Sequence, residues 1–208
     1  MNQAHPLVYL SRHGETALNA QDSFRGPIDA PLNAKGWRQA NTLKEYLSSV
    51  EFSHAFSSDK IRAVSTANKI LEGRELQNVE NHNLRALDVG YLGGQPKNEE
   101  NLAAIEYYVN NPDITIPDGE SLNDFRGRVR PLIADAIQIA LDCGIPVLLA
   151  VHSSVIHEVG VMLGGHHEYT LVEPGGVACI FIKDGELDAE PIFRPKTPEK
   201  QTRGETIT

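Results

Sequence analysis

Hydrophobic positions fall into short buried runs separated by stretches that repeat every three to four residues, so strands and helices alternate along the chain. The apolar run Leu7 to Ser11 predicts a strand. Asn33 is placed to cap a helix from Ala34 to about Leu47. His54 to Ser57 predicts a second strand, and Lys60 to Leu71 a helix with Ala63, Ala67, Ile70 and Leu71 on one face. Asn98 to Val109 predicts another helix, followed by a loop marked by Asn110, Asn111, Pro112, Pro117 and Gly119. Ser121, with Asp124 three residues on, forms a capping-box pattern for a helix to Asp142. Pro131 inside that stretch predicts a kink or two shorter helices. Pro146 to Val151 is the most apolar strand, and Ser153 to Leu163 the helix after it, stopped by Gly164 and Gly165. Val177 to Lys183 and Leu187 to Phe193 flank Asp184-Gly185, a hairpin signal.

This alternation predicts an α/β fold with a mainly parallel sheet covered by helices on both faces. In such sheets ligands sit beyond the carboxyl ends of the strands, so functional residues are expected just after strands.

Length and charge narrow the reading. The chain has 208 residues, which suits a single domain over residues 1–193, with 194–208 expected as a polar, mobile tail. Its net charge of -9 argues against nucleic acid or an anionic membrane as partner. A small phosphorylated substrate stays compatible, because a few arginines set a pocket's local potential. Cys143 and Cys179 have no metal-ligand spacing and suggest no disulfide framework. The first residues lack a leader pattern, and no run approaches ~18 apolar residues, so a cytoplasmic protein is expected. Neither a dinucleotide fingerprint, nor a P-loop, nor a nucleophile elbow occurs. The adjacent His166 and His167 read as surface or capping residues, without partners spaced for a metal.

Three segments after predicted strands carry candidate chemistry. In Arg12-His13-Gly14-Glu15-Thr16, a glycine lets the backbone approach a ligand. The Arg12 fork matches phosphate oxygens, and a neutral imidazole at His13 can attack phosphorus. In Ser57-Ser58-Asp59-Lys60-Ile61-Arg62-Ala63, Arg62 stands in the first turn of a helix whose N-terminal field favours anions. The third places His152 between the strand ending at Val151 and Ser153-Ser154.

The longer string of Arg12 to Thr16, then Asn19, Arg25-Gly26, Asp29, Pro31-Leu32, Gly36 and Gln39-Ala40, resembles the opening of the histidine phosphatase superfamily, of the phosphoglycerate mutase-like kind. The second segment is similar to that family's S-S-D-x-x-R-A-x-x-T-A element, and His152 stands where the family has its second active-site histidine. There the family often has two glycines, where this chain has Ser153 and Ser154. The resemblance implies a three-layer α/β/α fold and phosphomonoester hydrolysis through a phosphohistidine on His13, with no metal and no cofactor. Arg12, Arg62 and His152 would hold the phosphate, and Asn19, Arg25, Gly26 and Ser153 would bind substrate.

One position departs from the pattern. The family's L-R-E-x-x-x-G string, whose glutamate protonates the leaving group, reads Leu84-Arg85-Ala86-Leu87-Asp88-Val89-Gly90 here. Three readings stand open. Asp88 supplies the acid if the stretch is strand-like, because 86 and 88 then share a face. Glu120 reaches in from the Gly119-Glu120-Ser121 element. Or no strong acid exists, and substrates are limited to good leaving groups. Two alternatives to a phosphatase accompany these readings, a mutase-type phosphotransferase and a low-activity phosphate-binding module. A homodimer is compatible with the sequence, which does not fix oligomeric state.

Overall fold

A computed structural model describes residues 5–26, 28–164 and 172–195. His166, His167 and the expected tail from residue 196 lie outside them. Among the described residues the sheet has six strands: β1 (His5–Arg12), β2 (His54–Ser57), β3 (Asn78–Glu80), β4 (Val147–Val151), β5 (Val177–Lys183) and β6 (Glu186–Phe193). Their order is β3-β2-β4-β1-β5-β6. The pairs β2/β3, β2/β4 and β1/β4 are parallel, while β5 runs antiparallel to both neighbours. Asp184 and Gly185 close the β5–β6 hairpin with φ of 54° and 90°, the doubly left-handed turn that matches strand twist.

Among the described residues the helices are α1 (Ala17–Ala20), α2 (Ala34–Tyr46), α3 (Ile61–Leu71), α4 (Glu99–Asn110), α5 (Leu122–Cys143) and α6 (Ser153–Met162). The period-two pattern of the central strands explains the layers. Val147, Leu149 and Val151 of β4, with Val8 and Leu10 of β1, pack into the cluster containing Phe125, Val129, Ile133, Val155 and Val159 of α5 and α6. Leu148 and Tyr9 turn to the opposite face, where Leu43 of α2 and Ile70 of α3 wait. Both faces are therefore covered, as the sequence predicts. Buried Glu158 joins α5 to α6, accepting bonds from Arg126 at 3.3 Å and from Arg130 Nε at 2.7 Å. Among the described residues, no helix is long and apolar enough to cross a membrane.

Asn33 caps α2 by accepting from Gly36 N–H at 2.8 Å, and Ser121 with Asp124 forms the expected capping box on α5. Of the two outcomes expected at Pro131, division into shorter helices does not occur; α5 continues as one helix through it. Pro131 is solvent-exposed, so water can serve the carbonyl that loses its partner, while the buried face packs on either side. Residues 84–90 are not strand-like. Short 3₁₀ turns at His82–Leu84 and Gly90–Leu92 bracket an irregular segment.

Candidate active site

The strand order builds the site. β2, β4 and β1 are neighbours pointing the same way, so the segments after Ser57, Val151 and Arg12 emerge side by side. The register Arg12↔Val151 and the bond from His13 N–H to Val151 O at 3.0 Å set the two histidines level. Their rings lie 5.2 Å apart between centroids, crossed at 62°.

The His13 loop is fixed from three sides. Gly14 N–H donates to Thr66 Oγ1 at 3.1 Å, and Gly175 N–H donates to His13 O at 3.1 Å. On the third side Gly14 packs against Gly36, where a Cβ on Gly14 would stand 2.4 Å from the Gly36 carbonyl oxygen. Glu15 ties the loop to α2, accepting from Lys35 Nζ at 2.6 Å and Asn33 Nδ2 at 3.0 Å. Its role is to brace the loop.

Within this frame His13 Nδ1 lies 2.7 Å from the Gly14 carbonyl. A carbonyl only accepts, so Nδ1 carries the proton and Nε2 is left with its lone pair. His13 is completely buried. Its pKa is held well below the usual histidine value by burial, then by His152 and the charges of Arg62, Arg25 and Arg12. The His152 pKa is also held well below, by burial and then by Arg62, Arg25 and Arg12. Both imidazoles are neutral near pH 7.

The surrounding cations are underpartnered. Arg62 is the largest fully buried side chain. Its Nη1 donates to Ile28 O at 2.8 Å, and burial followed by Arg25 lowers its pKa to about 10. Arg12 donates through Nη1 to Val172 O at 2.6 Å. Burial and Arg25 lower its pKa to about 9. Among the described residues, His13 Nε2, both His152 nitrogens, Arg62 Nε and Nη2, and Arg12 Nε are buried without a hydrogen-bond partner. Buried polar atoms are nearly always paired, so this group is a cradle for an anion rich in acceptors, as phosphate is.

The other sequence candidates fall around it. Arg25 and Gly26 line a cavity beside the cradle together with Ser153. Asn19 faces its own helix, its Oδ1 accepting from Thr16 N–H at 3.1 Å and Thr16 Oγ1 at 2.9 Å. Asp88 Oδ1 accepts from Gly90 N–H at 3.0 Å. Glu120 is gripped by Arg128, Nε donating to Oε2 at 2.8 Å and Nη2 to Oε1 at 2.5 Å. It also accepts from Asp88 N–H at 2.8 Å. Asp88 and Glu120 line a second cavity with Lys60, Arg85 and Arg128. No group of three or more metal-ligating side chains is gathered among the described residues.

Sequence reasoning missed three supports. Thr66 stands in the second motif and holds Gly14. Val172 O holds Arg12. Arg128 on α5 donates to the carbonyls of Asn83, Arg85 and Ala86 at 2.8, 2.9 and 2.9 Å. The Thr66 hydroxyl, already inside a motif, was the one readable signal. The other two act across more than forty positions.

Comparison with known proteins agrees with this geometry. A sequence profile described as the histidine phosphatase superfamily (branch 1) matches residues 8–169. The chain is 34% identical over 136 residues to fructose-2,6-bisphosphatase TIGAR of Xenopus tropicalis, covering 63% of this chain and 50% of that protein. It is 35% identical over 138 residues to the probable phosphoglycerate mutase GpmB of Enterobacter sp. (strain 638), covering 64% and 63%. The match thus spans between half and under two thirds of these relatives. Among solved structures, phosphoglycerate mutase from Bacillus anthracis str. Sterne superposes with a TM-score of 0.76 at 27% identity, over 90% of this chain and 94% of that one. The alpha-ribazole phosphatase from Shigella flexneri gives 0.71 at 24% identity over 89% and 95%, a likeness of fold alone.

Proposed function

The chain belongs to branch 1 of the histidine phosphatase superfamily, and on that footing we propose that it hydrolyses phosphomonoesters without a metal, through a phosphohistidine on His13. The observation that carries the reading is the set of buried nitrogens without a hydrogen-bond partner, Arg12 Nε, Arg62 Nε and Nη2 and those of His152, around a neutral His13 whose Nε2 has none either. Arginines and imidazole do here the charge neutralisation that metal ions do in other phosphoryl-transfer sites.

Nε2 of His13 attacks phosphorus in line as the bond to the ester oxygen breaks. The guanidiniums take the charge spreading over the phosphoryl oxygens, and His152 donates to one of them. Water then attacks the phosphohistidine, and the bonding pair returns to Nε2. Arg25, Gly26 and Ser153 flank the leaving group, and Asn19 steadies the loop start through Thr16. The substrate is a small phosphorylated molecule. The acidic surface is unsuited to nucleic acid or an anionic membrane, and the reaction is expected in the cytoplasm.

Relatives named as phosphoglycerate mutases favour a second reading, in which the phosphoryl group returns to a bound product. Incubating the protein with p-nitrophenyl phosphate, with and without chelator, tests the main reading. Release of phosphate unaffected by chelator, with an acid-labile phosphoenzyme absent from His13→Ala, is expected. Activity lost to chelator and restored by zinc would sink the metal-free mechanism. Interconversion of phosphoglycerates faster than phosphate release would favour the mutase.

A further inference from the structure

The cavity beside the cradle and the residue at position 86 together limit the leaving group. The cavity is about 270 Å³, near the low end of small-molecule sites at ~300 Å³ and larger than the ~150 Å³ that accepts a benzene ring. Arg25 and Ser153, the latter next to His152, form its phosphate side. Phe24, Leu87, Val89 and the methyl of Ala86 form an apolar wall. Among the described residues that line it, none is a carboxylate. Its remaining protonatable side chains, besides Arg25, are Lys97 and His157. Lys97 pairs with Asp22 at 3.0 Å. His157 stands about one helical turn beyond Ser153 on α6.

The segment carrying Ala86 cannot slide to bring Asp88 into that wall. Arg128 holds the carbonyls of Asn83, Arg85 and Ala86. Leu87 N–H donates to Ser154 Oγ at 3.1 Å, and Asp88 N–H to Glu120. A shift of two residues would break all five bonds. The Asp88 and Glu120 carboxylates line the neighbouring cavity, which shares Gly26 and Ala86 with this one, and they are engaged there by Gly90 N–H and by Arg128.

Resting on the phosphatase reading, we propose that the substrates are aryl phosphates, whose flat apolar leaving group fills this cavity and departs as a phenolate without a protein acid. As the Nε2–P bond forms, the P–O bond breaks and its electron pair stays on the phenolic oxygen, which takes a proton from solvent. A phenol ionises near pH ~10, against ~15.7 for water, which alkanols resemble. Loss of a general acid, worth about 10²–10⁴-fold, therefore falls on alkyl esters and largely spares aryl ones.

The test compares kcat/KM for phenyl phosphate, benzyl phosphate and glycerol phosphate, for the wild type and for Ala86→Glu and Ala86→Gln. Phenyl and benzyl esters share a ring and differ in leaving-group acidity. Phenyl phosphate should exceed benzyl phosphate by at least 100-fold, and benzyl should exceed glycerol phosphate by about tenfold through the apolar wall. Ala86→Glu should raise the benzyl rate at least tenfold, and Ala86→Gln should not. A phenyl-to-benzyl ratio below about ten in the wild type would overturn the proposal, because an acid would already be acting, and would leave the phosphatase standing. Glycerol phosphate cleaved as well as benzyl phosphate would overturn the apolar site. No turnover of any ester by folded protein would instead remove the phosphatase reading.

Discussion

The His13 and His152 rings stand 5.2 Å apart between centroids, edge toward face, and burial first, then the charges around them, keeps both uncharged. Each is buried; the guanidiniums of Arg62, Arg25 and Arg12 act on both, and that of Arg128 on His152 as well. A second imidazolium so close would oppose the first, so the pair resists protonation where a single exposed histidine would accept it.

This sets a pH dependence. A neutral Nε2 is the nucleophile, so the acid limb of kcat/KM should fall well below pH 6.5, once the substrate phosphate's own ionisation near pH ~6 is divided out. Stability should move the opposite way from that of a salt-bridged histidine. Below pH ~6.5 the unfolded chain binds protons on these residues and the folded chain does not. Stability is therefore complete above ~6.5 and falls as the pH drops, by about 1.4 kcal/mol per unit for each histidine. Urea denaturation at pH 5 and 7 should show this for the wild type, and the slope should shrink in His152→Gln.

Arg62 should separate activity from stability. Its fully buried guanidinium makes one hydrogen bond and leaves two nitrogens without partners, a costly arrangement for folding alone. Arg62→Met keeps the packed stem and removes the charge. It should lower kcat/KM by at least about 10²-fold while raising unfolding free energy by about 1–3 kcal/mol. A variant that loses both would show that Arg62 holds the fold.

Gly14 and Gly36 limit each other. A Cβ on Gly36 would lie 2.1 Å from the Glu15 carbonyl oxygen, and one on Gly14 2.4 Å from the Gly36 oxygen. Gly14→Ala should destabilise by about 2–3 kcal/mol and displace His13. Thermal melting with a phosphatase assay checks both effects, which should appear together.

Much of this was legible because local pattern and tertiary demand agree. The run His54–Ser57 is a strand whose alternate residues Ala55 and Ser57 are buried, and Asp184-Gly185 is a turn because its backbone needs left-handed residues. All three chemical segments were found because each follows a strand. The strand Asn78–Glu80 was missed, since three residues on a sheet edge carry no alternation. The shape of 84–90 stayed open in the sequence, because its carbonyls are held by Arg128, more than forty residues away on α5. Such a tie leaves no local trace.

Arg128 is accordingly a second place to probe. Its donors reach Glu120 and three carbonyls. Arg128→Ala leaves Glu120 with only the Asp88 N–H and takes the donors from those carbonyls, and should cost about 2–4 kcal/mol. It should also blur selectivity between aryl and alkyl esters, because the segment bearing Ala86 loosens. Equal selectivity in variant and wild type would show that the segment is held by other contacts.

Pro131 predicts the reverse sign. Its ring sits on the exposed face of an unbroken helix, where alanine restores an N–H donor. Pro131→Ala should stabilise by about 1–3 kcal/mol, measured by urea denaturation, with kcat unchanged.

The pairing of Arg12 with Val151 has an outcome for quality control. Because both histidines hang from the ends of adjacent strands, their separation is a reading of sheet register. A slip of one residue would move one imidazole by ~3.3 Å and turn its side chain to the other face. A slipped molecule could keep its helices and its compactness and yet catalyse nothing. Specific activity therefore counts correctly paired molecules in a preparation, and does so more strictly than any spectroscopic measure of secondary structure.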